Sequence, residues 1–130
     1  METNKPPVAP QPLRNQRSDD FASVYSNNVA FEASAWDLKL IFGQLDQAVG
    51  VIDQRTALTI PWSLAKLALY HLKTQLVAYE IIYGKIVLSH DVLPPAPQPL
   101  STEQKQQNPA FERIYEAIKI LHEEFVREVR

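Results

Sequence analysis

Side chains that could perform acid–base, metal or nucleophilic chemistry are few in this sequence, and they lie far apart. Its histidines are His71, His90 and His122, and each falls in a different predicted element. None has a second histidine or a carboxylate at a convincing metal-ligand spacing. We therefore predict no metal site, and we interpret His71, with Gln75 one turn later, as a partly exposed interface position.

Nucleophilic and phosphate-binding motifs are also missing. There is no cysteine and no G-x-S-x-G motif, and the three glycines are isolated rather than grouped in a phosphate-binding loop. Hydroxyl side chains favour turns, strand ends and helix starts, and that is how we interpret the serines at 26, 34, 63 and 89.

One pair of carboxylates, Asp46 and Asp53, brackets a predicted loop. A carboxylate becomes a useful general acid or base when burial or a like charge shifts its pKa, and neither is indicated here. A solvated hairpin end explains both residues, so we predict no catalytic residue and no cofactor. The protein is expected not to be an enzyme.

Aromatic residues in the predicted strands raise the possibility of base stacking. They are Tyr25, Phe31, Trp36 and Phe42, but the same strands carry only Lys39 and Arg55 as cations. The whole chain has a formal charge of -2, whereas a single-strand binder combines aromatic residues with a positive groove. We expect these aromatics to form a core, and nucleic-acid binding is a second alternative.

Composition predicts one globular domain in the cytoplasm. The chain has 130 residues, of which 45% are hydrophobic. Its N-terminus shows no apolar signal-peptide segment, and charged residues interrupt the best candidate for a membrane span. The lack of cysteine is compatible with a reducing compartment. We therefore expect no membrane partner.

The most apolar stretch, residues 59–84, predicts one long helix. Pro61 suits a first helical turn, and Gly84 is placed to end the helix in a left-handed cap. Apolar residues recur at spacings of three and four between them, which is typical of a buried helical stripe. Four further apolar residues, Leu64, Leu67, Ile81 and Ile82, lie outside the main stripe. We expect them to form an oligomer interface.

Residues 24–60 show the alternation of β-strands. We predict strands over 24–34, 36–45 and 55–60, with a loop or a loose hairpin end at 46–54 and a bulge or bend at Gly43. Short connections favour an antiparallel meander, with the long helix packed on its apolar face. The fold class is therefore α+β with three strands, or four if the apolar run after Gly84 adds an edge strand.

Proline content sets the expected boundaries. Eight of the ten prolines lie in two tracts, at 6–12 and at 94–99. We therefore predict a disordered tail over 1–22, a folded domain over 23–90 and a linker over 91–108. The P-x-x-P spacing of Pro7 and Pro10 could alternatively be a docking ligand for an aromatic-lined groove.

A C-terminal helix is predicted over 109–130, begun by Asn108 and Pro109. Five apolar residues repeat along it at spacings of three and four: Phe111, Ile114, Ile118, Leu121 and Phe125. We call these five the C-terminal seam. An apolar stripe of this length needs a surface to cover it, so we expect it to dock on its own domain, on a neighbouring subunit or on a protein partner.

Three short motifs resemble a known bacterial family. They are Y-S-N at 25–27, W-D-L-K-L-I-F-G-Q at 36–44, and Y-E at 79–80 followed by Gly84. Together with Phe31 they resemble domain of unknown function 3467 over residues 24–84. The resemblance implies the order strand, strand, helix and a bacterial source, but no activity and no site residue.

These observations predict a non-enzymatic module for protein–protein interaction or assembly. A small domain without disulfides or metal is marginal alone, and a three-stranded sheet leaves two open edges. We therefore expect a homo-oligomer, most simply a dimer, with a protein partner that the sequence does not identify. The alternative is a chaperone that is similar in topology to SecB and holds unfolded clients.

Overall fold

The computed structural model describes residues 4–130 and confirms an α+β chain with one three-stranded antiparallel sheet followed by helices. Its residues divide into two compact units, the first ending at Trp62 and the second running from Ser63 to Arg130. The sheet belongs to the first unit, and nearly all the helical residues belong to the second.

The sheet is a meander in the order β1-β2-β3, in which β1 spans Asn28–Ala33, β2 spans Asp37–Asp46 and β3 spans Val51–Pro61. Both pairings are antiparallel, as predicted. A tight turn joins β1 to β2, and the Ser34 N–H closes it by donating to the Asp37 carbonyl at 2.9 Å. The Trp62 indole N–H also donates to the Ser34 carbonyl, which ties the end of β3 to this turn.

The predicted bulge in β2 is confirmed. The register of β2 against β3 shifts between Phe42 and Gly43. A Cβ atom at Gly43 would lie 2.8 Å from the backbone oxygen of Asp53. Only a residue without a side chain fits this approach, which explains a glycine inside an otherwise apolar strand.

The predicted start of β3 was wrong. The strand begins at Val51 rather than residue 55, and Val51 pairs directly with Asp46. Gly50, with a φ of 70°, lets the chain reverse within a few residues, and its N–H donates to the Asp46 carbonyl at 2.9 Å. Of the two alternatives for 46–54, a loop or a hairpin end, the structure has the hairpin end, and residues 51–54 are paired in it.

The first helix, α1, spans Trp62–Tyr83. Pro61 ends β3 opposite Asp37 instead of lying in the first helical turn, so strand and helix follow without a loop. The predicted end is confirmed, because Gly84 has a φ of 102° and its N–H donates to the Glu80 carbonyl. Glu80, in the last turn of α1, is half-buried and accepts the Ile86 N–H at 3.0 Å.

Residues 85–101 are extended apart from one 3-10 turn at His90–Val92. No fourth strand forms there, because the Leu88 N–H donates to the carbonyl of Val129 near the chain end. A short helix not predicted from the sequence, α2, spans Thr102–Gln107. Ser101 and Gln104 form a reciprocal capping box at its start.

The C-terminal helix, α3, spans Pro109–Val129 and begins as predicted. The Asn108 side chain accepts the Ala110 N–H at 2.9 Å, and Pro109 occupies the first turn.

Burial is slight throughout the described chain. Of residues 4–130, only Gly43 and Val129 are buried. Of the four strand aromatics expected to form a core, Tyr25, Phe31 and Trp36 are exposed and Phe42 is half-buried.

Candidate functional site

An apolar groove runs along α3, between that helix and the extended segment 93–100. The segment follows α3 from its C-terminal end toward its N-terminal end. At the C-terminal end, the Leu88 N–H meets the Val129 carbonyl at 3.1 Å, and the Lys85 ammonium donates to the Arg130 carbonyl. We call this surface the α3 groove.

His122 contacts the start of the segment. Its Nε2 lies 2.9 Å from the carbonyl oxygen of Pro94. A carbonyl only accepts hydrogen bonds, so Nε2 carries the proton and donates. The ring therefore links α3 to the segment that begins near Pro94.

Two open cavities lie along the α3 groove. One, of about 460 Å³, is lined by Pro94, Pro95, Pro97, Ile118, Leu121, His122 and Phe125. The other, of about 280 Å³, is lined by Pro97, Leu100, Gln104, Phe111, Ile114, Tyr115 and Ile118. Together they contain all five residues of the C-terminal seam, which the structure thus brings to one surface.

The segment covers only part of α3. Tyr115, His122 and Val126 are half-buried and Val129 is buried, at spacings of seven, four and three that place them on one face. In the seam beside that face, Ile118 and Leu121 remain exposed. The groove therefore has one covered wall and one open wall.

The proline segment is the part of this site that sequence reasoning missed, because its prolines were interpreted as a linker. A polyproline II helix has three residues per turn. Pro94, Pro97 and Leu100 therefore lie on one edge of such a helix, and all three line the groove. Leu93 and Ser101 have φ and ψ values close to polyproline II. The spacing of three between Pro94, Pro97 and Leu100 is the sequence pattern that could have predicted this segment of the groove.

The second apolar surface is α1, in which no residue is buried. The four residues predicted to form an oligomer interface, Leu64, Leu67, Ile81 and Ile82, are all exposed, and Ile81 is 79% exposed. The large apolar side chains of the predicted main stripe are exposed as well, including Leu69, Leu72 and Leu76. The apolar surface of α1 is therefore accessible along the whole helix.

The polar residues around the β2–β3 hairpin have structural roles. An open cavity of about 960 Å³ there contains Asn27, Asp46 and Asp53. Asp46 accepts the Ala48 N–H at 3.0 Å within the turn, and Asp53 pairs with Arg55 at 3.0 Å. Asn27 accepts the Leu45 N–H at 2.7 Å, which extends the pairing of β1 with β2 by a side chain.

Positive charge is scarce on the strands. Their two cations, Lys39 and Arg55, both lie beside carboxylates, Lys39 being 3.6 Å from Glu32. Three aromatic residues near them are exposed, but a positive groove does not accompany these rings.

The described residues hold neither a metal-ligand cluster nor a membrane-spanning helix. Within residues 4–130, no three His, Asp or Glu side chains are grouped so as to hold a metal ion. In the same range, no helix is long and apolar enough to cross a lipid bilayer.

No protein-family model, curated protein or solved structure matches this chain. The resemblance to domain of unknown function 3467 over residues 24–84 stays a prediction.

Proposed function

We propose that this protein is a non-enzymatic module that self-associates through α1 and binds a protein partner along the α3 groove. The observation that carries the proposal is the exposure of α1, whose 22 residues include no buried side chain. An isolated amphipathic or apolar helix gains its stability chiefly from tertiary packing, so α1 needs a covering surface.

A second copy of the chain is the simplest cover. A two-fold contact brings the same apolar patch of each copy together, so one surface on α1 is enough. Leu64 and Leu67 lie near the start of the helix, and Ile81 and Ile82 lie near its end, which suits a contact along its whole length. Burying each of these side chains contributes about 1.5–3 kcal/mol.

The sheet supports the same proposal. β1 and β3 are both edge strands, and nearly every residue of β3 is exposed. Exposed edges and faces of this kind are normally paired or covered in a native protein. A second copy of the chain would cover these exposed strands.

The α3 groove is the proposed partner site because it combines an open apolar wall with a preformed extended segment. Its lining is almost entirely apolar, with His122 and Gln104 as the polar exceptions. Helix-in-groove and proline-peptide recognition both use surfaces of this composition.

Leu67→Glu tests self-association through α1. It places a carboxylate in the proposed interface, where burial without a partner costs on the order of 2 kcal/mol or more. We expect analytical ultracentrifugation to show dimer affinity reduced by more than about tenfold, and Ile81→Glu to act in the same direction. Lys66→Glu is the matched control, since Lys66 is an exposed neighbour and its substitution should leave the affinity nearly unchanged. Equal effects of Leu67→Glu and Lys66→Glu would count against an α1 interface.

A chaperone that is similar to SecB is the second candidate, favoured by the large exposed apolar surface of α1. The two functions differ in selectivity. An assembly module should retain one defined protein in a pull-down from its native cell, whereas a chaperone should suppress aggregation of several unrelated unfolded proteins. The lack of cysteine fits a cytoplasmic location for either function.

A further inference from the structure

The segment that lines the α3 groove has a near copy at the other end of the chain. Residues 94–100 read P-P-A-P-Q-P-L, and residues 7–13 read P-V-A-P-Q-P-L. The two heptapeptides align without a gap and differ at one position, where Val8 stands in place of Pro95.

The residues that line the groove are the ones that repeat. Pro94, Pro97 and Leu100 all line the α3 groove, and their equivalents are Pro7, Pro10 and Leu13. Both sets have the spacing of three that places side chains on one edge of a polyproline II helix. A surface that accepts the first heptapeptide therefore has the shape and chemistry to accept the second.

The N-terminal heptapeptide itself is exposed. Val8 is 85% exposed and Leu13 fully so, whereas Pro97 and Leu100 are half-buried. Prolines fix φ and restrict the preceding residue, so both heptapeptides favour the same extended conformation before docking. Residues 7–13 are therefore accessible to a binding surface.

We propose that the α3 groove of one copy binds residues 7–13 of a second copy, in exchange for its own residues 94–100. This proposal rests on the self-association proposed above, which supplies the second copy. Residues 94–100 belong to the same chain as their groove and lie close to it in sequence, so their effective concentration there is high. A tail from an associated copy has a comparable advantage, whereas a tail in free solution does not.

Exchange of identical elements between copies is a low-cost route to assembly, because each interaction within a chain is replaced by the same interaction between chains. Here the replacement is nearly the same rather than identical, since Val8 stands in place of a proline that lines the larger cavity. The α3 groove would then add a second, reversible contact to the contact through α1.

A spin label tests the proposal on the full chain. Because the chain has no cysteine, Asn15→Cys gives a single site for a nitroxide close to the tail heptapeptide. Spin-labelled chain with ¹⁴N is mixed with unlabelled ¹⁵N chain, so that broadening of amide signals reports contact between copies only. The expected result is broadening confined to residues 111–125 of α3.

Two variants should change the broadening of the α3 signals in opposite directions. Leu13→Asp in the labelled chain alters only an exposed tail residue and should abolish the broadening. Leu100→Asp in the ¹⁵N chain weakens its own segment, frees the groove, and should increase occupancy by the tail about tenfold where docking is weak. Circular dichroism checks that the Leu100→Asp chain keeps its helices, and the Leu13→Asp result stands independently of that variant.

Light scattering on the same mixture separates the possible failures. A dimer without broadening of α3 would overturn the exchange and leave self-association intact. Broadening that appears only when the spin label and ¹⁵N are on the same chain would show docking within one chain and overturn the second-copy occupant. Broadening that survives Leu13→Asp would show that the heptapeptide is not the ligand. A monomer would remove the proposed self-association and the exchange with it.

Discussion

Gly43 lies where β2 and β3 approach each other too closely for a side chain. The Asp53 oxygen that a new Cβ would meet at 2.8 Å belongs to the backbone, so a side-chain rotation cannot relieve the contact. Asn27 stabilises the same region through its hydrogen bond to Leu45. The bulge and the side-chain pairing together hold the end of the β2–β3 hairpin.

Gly43→Ala should therefore destabilise the sheet by about 1–3 kcal/mol, the usual cost of inserting atoms into a packed site. Urea denaturation at one fixed protein concentration measures it. Gln44→Ala, at the next position of β2, is the matched control and should cost no more than about 0.5 kcal/mol. A loss in Gly43→Ala no larger than that of the control would show that the strands separate freely at this point.

At the scale of elements, α3 depends on a cap at its start and on the groove along its side. The Asn108 side chain satisfies one of the free N–H groups of the first turn. Asn108→Ala should cost about 0.5–2 kcal/mol and speed hydrogen exchange at residues 110–113. Asn15→Ala, in the exposed tail, is the control, and an unchanged exchange rate in Asn108→Ala would show that the cap is dispensable.

A second prediction for α3 concerns the apolar side chain that lines both cavities of the groove. Ile118 lines both cavities, so Ile118→Asp should loosen the segment 93–100 and speed hydrogen exchange near Tyr115 and His122. It should also weaken binding of the protein partner while the sheet stays folded. Lys119→Asp tests the charge change alone at the next residue. Fast exchange throughout 110–128 in the unmodified protein would contradict a docked helix and indicate that α3 awaits an external partner.

Periodicity predicted the elements better than it predicted their ends. The long helix, the C-terminal helix and the bulge at Gly43 follow from local rules on spacing, caps and close approach, and all three are present. The start of β3 depends on a turn at Gly50, whose φ is not readable from neighbouring residue types. The role of Pro97 and Leu100 depends on a helix that follows later in the chain, so local patterning could not reveal it.

At the scale of the whole molecule, one chain exposes more apolar surface than a folded protein normally leaves in water. Only two of residues 4–130 are buried, and neither of them lies in α1. Burial is the main favourable term in folding. The self-association proposed above would supply further burial.

Light scattering of the purified full chain across a micromolar concentration series tests this claim most directly. Self-association predicts a mass of at least twice the chain mass of 14.8 kDa, falling toward that of one chain in Leu67→Glu but not in Lys66→Glu. A folded monomer of 14.8 kDa at every concentration, with helical circular dichroism and cooperative unfolding, would contradict the account.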